Sequence, residues 1–298
     1  MAPGRLLQMG LLTPALFSAW GCGTARSVSL GVHAEDDSGR ARMEPVLAEL
    51  NARRKAMPAV VTRLHLVYRD LDSKRVSGFE GQFFGESAGN MRMRILQDET
   101  VILDLAYLGE QVKLYLPRRR SASLGLRTEV ADSNNNVLAL LAHIGNAPEL
   151  FFPSCPTAWS VERRTRAQDG REVIRMLDQA GVLEGVARRF FVRPGRPWVE
   201  QVEVYNKKQT LMGTVRYEDY VSPGPTASAR EERKHKAPYP RLVTLVTPDG
   251  KRELEMQVLE LLQPEAPIPA GNFELKIPKD IQVRDLGAAL RSAKDLWD

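Results

Sequence analysis

The chain has 298 residues, 43% hydrophobic and 27% charged, which excludes wholesale disorder and leaves room for one large domain or two smaller ones. Its 42 basic and 37 acidic side chains leave a net charge of +5, and aromatic residues make up only 7%; a stacking platform for single-stranded nucleic acid has few candidates, and no nucleic-acid partner is expected. Two cysteines, Cys22 and Cys155, are too far apart in the sequence for a CxxC site and too few for a four-cysteine zinc cluster.

Residues 1–21 have the layout of a signal peptide. Arg5 and the α-amino group precede an apolar stretch from Leu6 to Trp20, which Gly10 and Pro14 interrupt and which is too short and broken to span a bilayer. It ends in Ala19-Trp20-Gly21-Cys22, similar to a lipobox, in which small residues precede a cysteine that becomes diacylated. Gly21 fits that pattern and Trp20 fits it poorly; the alternative is an ordinary secretory signal cleaved nearby. On the first reading Cys22 is the lipidation site, a palmitate-type anchor holds the protein at a membrane, and Cys155 is left as a lone, inert thiol. Residues 22–42, rich in Gly, Ser and Ala, read as the lipidated N-terminus and a flexible tether. The folded domain is expected over 43–298.

That domain should open with a helix, because Met43, Val46, Leu47 and Leu50 fall on one stripe and Pro45 is early enough to be tolerated. From Pro58 onward alternation with period two takes over. Leu64, Leu66 and Tyr68 alternate with Arg63, His65 and Arg69, and the same pattern recurs around Phe79 to Phe83, Met91 to Ile95 and Val112 to Leu116. Val101 to Leu108 is apolar on both faces except at Asp104, which predicts cover on both sides. Asn134-Asn135-Asn136 then precedes Val137, Leu138, Leu140, Leu141 and Ile144 at helical spacing, and Leu150-Phe151-Phe152 follows; residues 134–152 are expected to be helical. Further strands are predicted at Ala158 to Arg166, Glu172 to Leu177, Val186 to Val192, Trp198 to Tyr205, Leu211 to Tyr220, Arg241 to Thr247 and Lys251 to Leu262. Residues 222–240 read as a long charged loop, Asn272 to Pro278 and Ile281 to Leu286 as short final strands, and Gly287 to Trp297 as a C-terminal helix. The class is mainly β (α+β): a half-open antiparallel β-barrel or curved sheet of about 11–12 strands with a helical lid.

Catalytic signatures are lacking. None of His33, His65, His143 and His235 has a second ligand at metal-binding spacing, and His143 reads as a buried, hydrogen-bonded core residue. Asp70 and Asp72 belong to a turn. The glycines of the Gly78 to Gly85 stretch mark strand curvature, since no helix follows to present amides to a phosphate. The basic runs at Arg118-Arg119-Arg120 and Arg230 to Lys236 read either as anionic-headgroup contacts or as solvated loops. No enzyme, cofactor or metal site is expected.

Three stretches carry a resemblance to the LolA/LolB family of lipoprotein-localisation factors: Leu108-Gly109-Glu110-Gln111-Val112-Lys113-Leu114-Tyr115-Leu116-Pro117; Val202 to Tyr205 with Tyr217 to Tyr220; and Ile268-Pro269 with Asn272-Phe273-Glu274-Leu275-Lys276-Ile277-Pro278. The resemblance spans roughly Met43 to Leu286. It implies a half-open barrel whose apolar interior receives lipoprotein acyl chains beneath a helical lid. On that basis Phe79, Phe83, Met91, Met93, Leu103, Leu105, Leu114, Val202, Val204, Val215, Leu254, Met256 and Val258 are expected on the concave, lipid-binding face. Leu138, Leu141 and Ile144 would form the lid. A closed core made by the same residues is the competing reading. The carrier subfamily has an Arg-Pro pair entering the strand near Asn90 to Met93 that ties barrel to lid; here the stretch is Ser87-Ala88-Gly89-Asn90, so that latch is not expected. The expected partners are lipid or lipoprotein acyl chains, a membrane through the N-terminal anchor, and an envelope protein. The expected location is the bacterial outer membrane facing the periplasm, or the soluble periplasm if Cys22 is not acylated. The rival function is an interaction or sensing lipoprotein that acts through its surface.

Overall fold

The structure is a computed structural model. It describes Ala48, Leu50 and Ala52, then residues 59–292 except 87–88, 134–135, 145–146, 154–158, 179–185, 194–197, 222–237, 263 and 265. The signal peptide, the tether, Cys22, Cys155, His33, His235 and the basic run after Arg230 therefore lie outside the described residues. Ala48, Leu50 and Ala52 are helical, and Leu50 is fully buried.

Strands β1 (Ala59–Asp70), β2 (Arg75–Glu86), β3 (Met91–Gln97), β4 (Thr100–Leu108), β5 (Gln111–Leu116) and β6 (Ser121–Leu126) come first. Helices α1 (Arg127–Ala131), α2 (Asn136–Ile144) and α3 (Ala147–Phe151) follow. The chain returns to strands with β7 (Trp159–Arg166), β8 (Glu172–Asp178), β9 (Ala187–Val192), β10 (Val199–Tyr205), β11 (Leu211–Val221), β12 (Tyr239–Val246) and β13 (Arg252–Leu262), and ends in β14 (Val283–Asp285) and α4 (Leu286–Ser292). All fourteen strands form one sheet in the order β14-β6-β5-β4-β3-β2-β1-β13-β12-β11-β10-β9-β8-β7. Neighbours are antiparallel except β14 and β6, which run parallel. Apart from β14, which adds to the free edge of β6 from the end of the chain, each half is built of strands consecutive in the chain, and the halves meet where β1 pairs with β13, from Val61 beside Leu262 to Asp70 beside Arg252. The outermost strands, β7 and β14, do not pair with each other, so this curved sheet is a half-open barrel.

Alternation decides which way each strand faces. In β1, Leu64, Leu66 and Tyr68 are buried while Arg63 and His65 are exposed. One apolar cluster fills the inner side and takes in α2 and α3. A smaller cluster covers part of the outer side, where Ile268 and Phe273 pack with Ala59, Val61, Phe84 and Leu108. Two polar contacts hold that strap: the Ile268 amide donates to Glu86 (3.0 Å), and Arg92 donates to the Asn272 carbonyl (3.1 Å). Arg92 also forms a two-pronged pair with the buried Asp104 (2.9 and 2.7 Å). Leu103 to Tyr107 is accordingly buried on both faces.

Three local expectations change. Asn272 to Pro278 is not a strand: Ala270–Asn272 forms a single 3-10 turn, closed by Phe273 N–H donating to the Ala270 carbonyl (3.0 Å), and no strand pairs with it. Phe273 and Leu275 are both buried, and that spacing imitates a strand in the sequence. The expected final strand is shorter, Val283–Asp285. Strand β6 and helix α1 were not anticipated, because Ser121–Leu126 has little apolar contrast and leaves Leu124 and Leu126 exposed.

Candidate functional site

Residues paired across neighbouring strands point to the same face, so the register shows which side chains share the concave side. One row runs Leu114–Leu105–Met93–Phe83 across β5, β4, β3 and β2. A second runs Leu103–Ile95–Gly81–Leu64–Val258. A third links Phe79, Leu66, Met256 and Val243, and a fourth links Tyr68, Leu254, Leu245, Val215, Val202 and Phe190. Met91 stands beside Tyr107 and Val204 beside Gly213. Every residue predicted for the concave face thus falls on one side of the sheet, and none is more than 6% exposed.

The helices close over that face. Phe151 of α3 meets Phe83 of β2 edge-on, with ring centroids 5.4 Å apart at 86°. Phe152 and Tyr239 form a similar pair at 6.3 Å. Leu138, Leu141 and Ile144 of α2 are buried in the same cluster. Leu140 presses on β11 at Gly213, where an added Cβ would lie 2.9 Å from the leucine Cδ2 and 2.7 Å from the Val246 carbonyl. Leu114 and Leu116 also line a recess of about 710 Å³ beneath α4, bordered by Arg119, Arg120 and Arg284.

This apolar closure carries a polar latch. Arg188 of β9 stands beside Val204 and points inward, and only 5% of it is exposed. It donates to Glu149 of α3 (3.0 Å) and to the His143 and Ile144 carbonyls (2.7 Å each). Arg127 of α1 donates to the Ala142 carbonyl (2.8 Å). The last carbonyls of a helix lack partners within it and present the negative end of its dipole. Two arginines therefore hold the end of α2 to its surroundings, and Arg188 ties it to the sheet. Tyr217, beside Val243, is fully buried, and burial raises its hydroxyl above the usual range.

His143, on α2, is 2% exposed, as a core histidine should be. Its expected hydrogen bonding is at most partial: neither ring nitrogen has a partner of ordinary geometry among the described residues, while the Ala131 carbonyl stands near the ring. Burial, and then the positive charge of Arg188, lower its pKa to about 4, so the ring is neutral near pH 7.

The latch residues escaped the sequence reading although one signal was present. In β9, Arg188 shares parity with Phe190 and Val192, which places a cation on the apolar side, and Glu149 stands alone in an apolar helix. Arg92, nearest to the family's latch position, points to the outer face and pairs with Asp104. Other sequence expectations hold locally: Asp70 accepts from the Asp72 and Ser73 amides (3.0 and 3.2 Å) as a turn residue, and His65 is exposed. Among the described residues no group of three or more His, Cys, Asp or Glu could hold a metal ion, and no helix is long and apolar enough to cross a membrane.

No family model matches the sequence, and a search of curated proteins finds no match. Solved structures do match in fold. An outer membrane lipoprotein-sorting protein domain from Vibrio parahaemolyticus is 10% identical, with a TM-score of 0.52 over 79% of this chain and 97% of that one. A DUF1329 family protein from Desulfovibrio piger is 9% identical, with a TM-score of 0.53 over 80% of this chain and 98% of that one. A LolA superfamily protein from Nitrosomonas europaea is 10% identical, with a TM-score of 0.50 over 76% and 95%. The chain has the LolA-like fold.

Proposed function

We propose that this protein is a non-enzymatic envelope lipoprotein that holds lipid or lipoprotein acyl chains against the concave face, beneath α2 and α3, in lipoprotein sorting or lipid trafficking. The observation that carries this reading is the way the lid is held. A helix pair kept only for stability would pack well through apolar contacts, and replacing a buried ion pair by apolar residues is often neutral or stabilising. Here Arg188, Glu149 and two helix-end carbonyls form a directional connection at the boundary between lid and sheet, and Arg127 of α1 holds a third carbonyl. Such a connection can break and re-form as a unit. Behind it lies an apolar surface spanning both halves of the sheet, rich in adaptable Met and Phe side chains. Since those side chains pack against the lid, loading requires α2 and α3 to swing away. Each methylene that then enters contributes about 0.8 kcal/mol.

Native mass spectrometry of protein purified from its membrane fraction tests this reading. Co-purifying lipid or acylated peptide, released when Phe83 and Met93 are changed to Asn, is the expected result. A spectrum showing bare protein, together with no uptake of a fluorescent acyl probe, would refute it. The surface-acting alternative has one observation in its favour: Leu124, Leu126 and Val283 are exposed on the two outermost strands of one edge. Bare protein that still captures an envelope partner would favour that reading. We further propose that Cys22 is acylated and anchors the domain to the outer membrane, facing the periplasm. Cys22→Ala is expected to move the protein to the soluble fraction and abolish labelling by palmitate; a variant that stays membrane-bound would remove the anchor claim.

A further inference from the structure

The turn from β10 to β11 lies beside the last turn of α2, and the two border a recess of about 430 Å³. His143 lines it from the lid, Thr128 and Asp132 from α1 and its end, and Asn206, Lys207 and Lys208 from the turn. Val186, a member of the interior cluster, and Met212 supply an apolar part of the lining, so the recess borders the core.

His143 makes this recess unlike an ordinary surface dent. The Ala131 carbonyl lies close enough to favour a proton on the ring, but neither nitrogen has a hydrogen bond of ordinary geometry among the described residues. A buried polar group without a partner is costly and rare, and calls for a water, an ion or a ligand. A neutral imidazole offers one donor and one acceptor. Arg188 and Arg127 act on the ring as positive charges, and only Asp132 opposes them. At the rim Lys207 and Lys208 are exposed, and Asn206 fixes their turn by accepting from the Lys208 and Thr210 amides (2.9 and 3.0 Å). The surroundings therefore favour an anion at the polar end and an apolar body toward Val186 and Met212.

We propose that this recess binds the phosphate-type headgroup of an amphiphile whose acyl chain lies against the concave face, an assignment that rests on the acyl-chain reading above. The lysines and the Thr128 hydroxyl donate to phosphate oxygens, and the imidazole of His143 donates to one and accepts from a hydroxyl. Asp132 disfavours the anion, and Lys207 with Lys208 outweigh it.

Calorimetric titration of the purified protein tests this with three probes: a short-chain monoacylglycerol phosphate below its micelle concentration, the matching monoacylglycerol, and inorganic phosphate. The phosphate-bearing amphiphile should bind about tenfold or more tightly than the neutral one. K207Q/K208Q, which alters only exposed side chains on a turn held by Asn206, should erase that preference and leave the neutral amphiphile within about twofold. H143L should weaken the phosphate-bearing probe in the same direction. Equal binding of both amphiphiles overturns the headgroup assignment and leaves the acyl-chain reading standing. Binding of neither overturns both. Inorganic phosphate binding as tightly as the amphiphile, and equally sensitive to the lysine changes, would make the recess a site for free anion and overturn the proposal.

Discussion

Arg188 and Glu149 are both almost fully enclosed, so removing one takes from the other its oppositely charged neighbour. R188M should destabilise the fold by about 3–5 kcal/mol, the usual cost of breaking a buried ion pair from one side. The double variant R188M/E149M should recover most of that loss, because the desolvated charges vanish together. Chemical denaturation measures both effects; a double variant no more stable than the single one would show that the pair is not the connection drawn here. His143 sets a pH dependence with a definite sign. Its folded pKa of about 4 lies below the ordinary 6.5, so the unfolded chain takes up the proton first as pH falls. Stability should therefore be full above about pH 6.5, decline by about 3 kcal/mol toward pH 4, and level off below. Urea midpoints across that window should flatten in H143L, and an unchanged slope would contradict the assignment. At this scale the sequence was legible wherever alternation spoke for a side chain: Leu66, Met93, Leu105 and Met256 could be placed by parity alone. Arg188 and Glu149 could not be paired, because a salt bridge between β9 and α3 depends on how a helix crosses a sheet, which no local pattern encodes.

Helix α2 is positioned by what β11 lacks. Its Leu140 rests where Gly213 has no side chain, and the nearest obstacle to a Cβ is the Val246 backbone carbonyl, which cannot rotate aside. G213A should push α2 outward or distort β11, at a cost of about 1–3 kcal/mol, typical of overpacking. A lowered melting temperature with faster uptake of an acyl probe is the expected pair of results; a melting temperature within about one degree of the parent would show that the contact is slack. Gly125 plays a comparable part at the far edge, where an added Cβ would come 2.7 Å from the Leu286 Cβ of α4. Long strands with strong contrast were readable, β13 nearly end to end and β1 through its alternating middle. Strand β6 was not, since Ser121, Ser123 and Gly125 supply no apolar parity and the two leucines face solvent. The strap at Ile268 to Phe273 misled for the opposite reason: burial at Phe273 and Leu275 arises from packing on the back of the sheet, and resembles strand parity without any hydrogen-bonded neighbour.

At the scale of the whole molecule, the sheet offers its apolar side to the helices and part of its outer face to the strap. The architecture follows from the pattern of many alternating strands interrupted by one apolar helical stretch, which is why the class could be read before any coordinates. The order of the strands could not, because β1 pairs with a segment from the other end of the domain. That pairing has a kinetic corollary. Among the described residues, the ladder that brings Val61 beside Leu262 is the one strand pairing that joins the two flanks, and it forms only after nearly all the intervening chain has been made. Closing so large a loop delays the reward of pairing. During that wait each flank carries a bare central edge competent to stick to any extended polypeptide it encounters. Newly made protein should therefore fold slowly, and its half-formed sheet should be most prone to aggregate before that central seam closes.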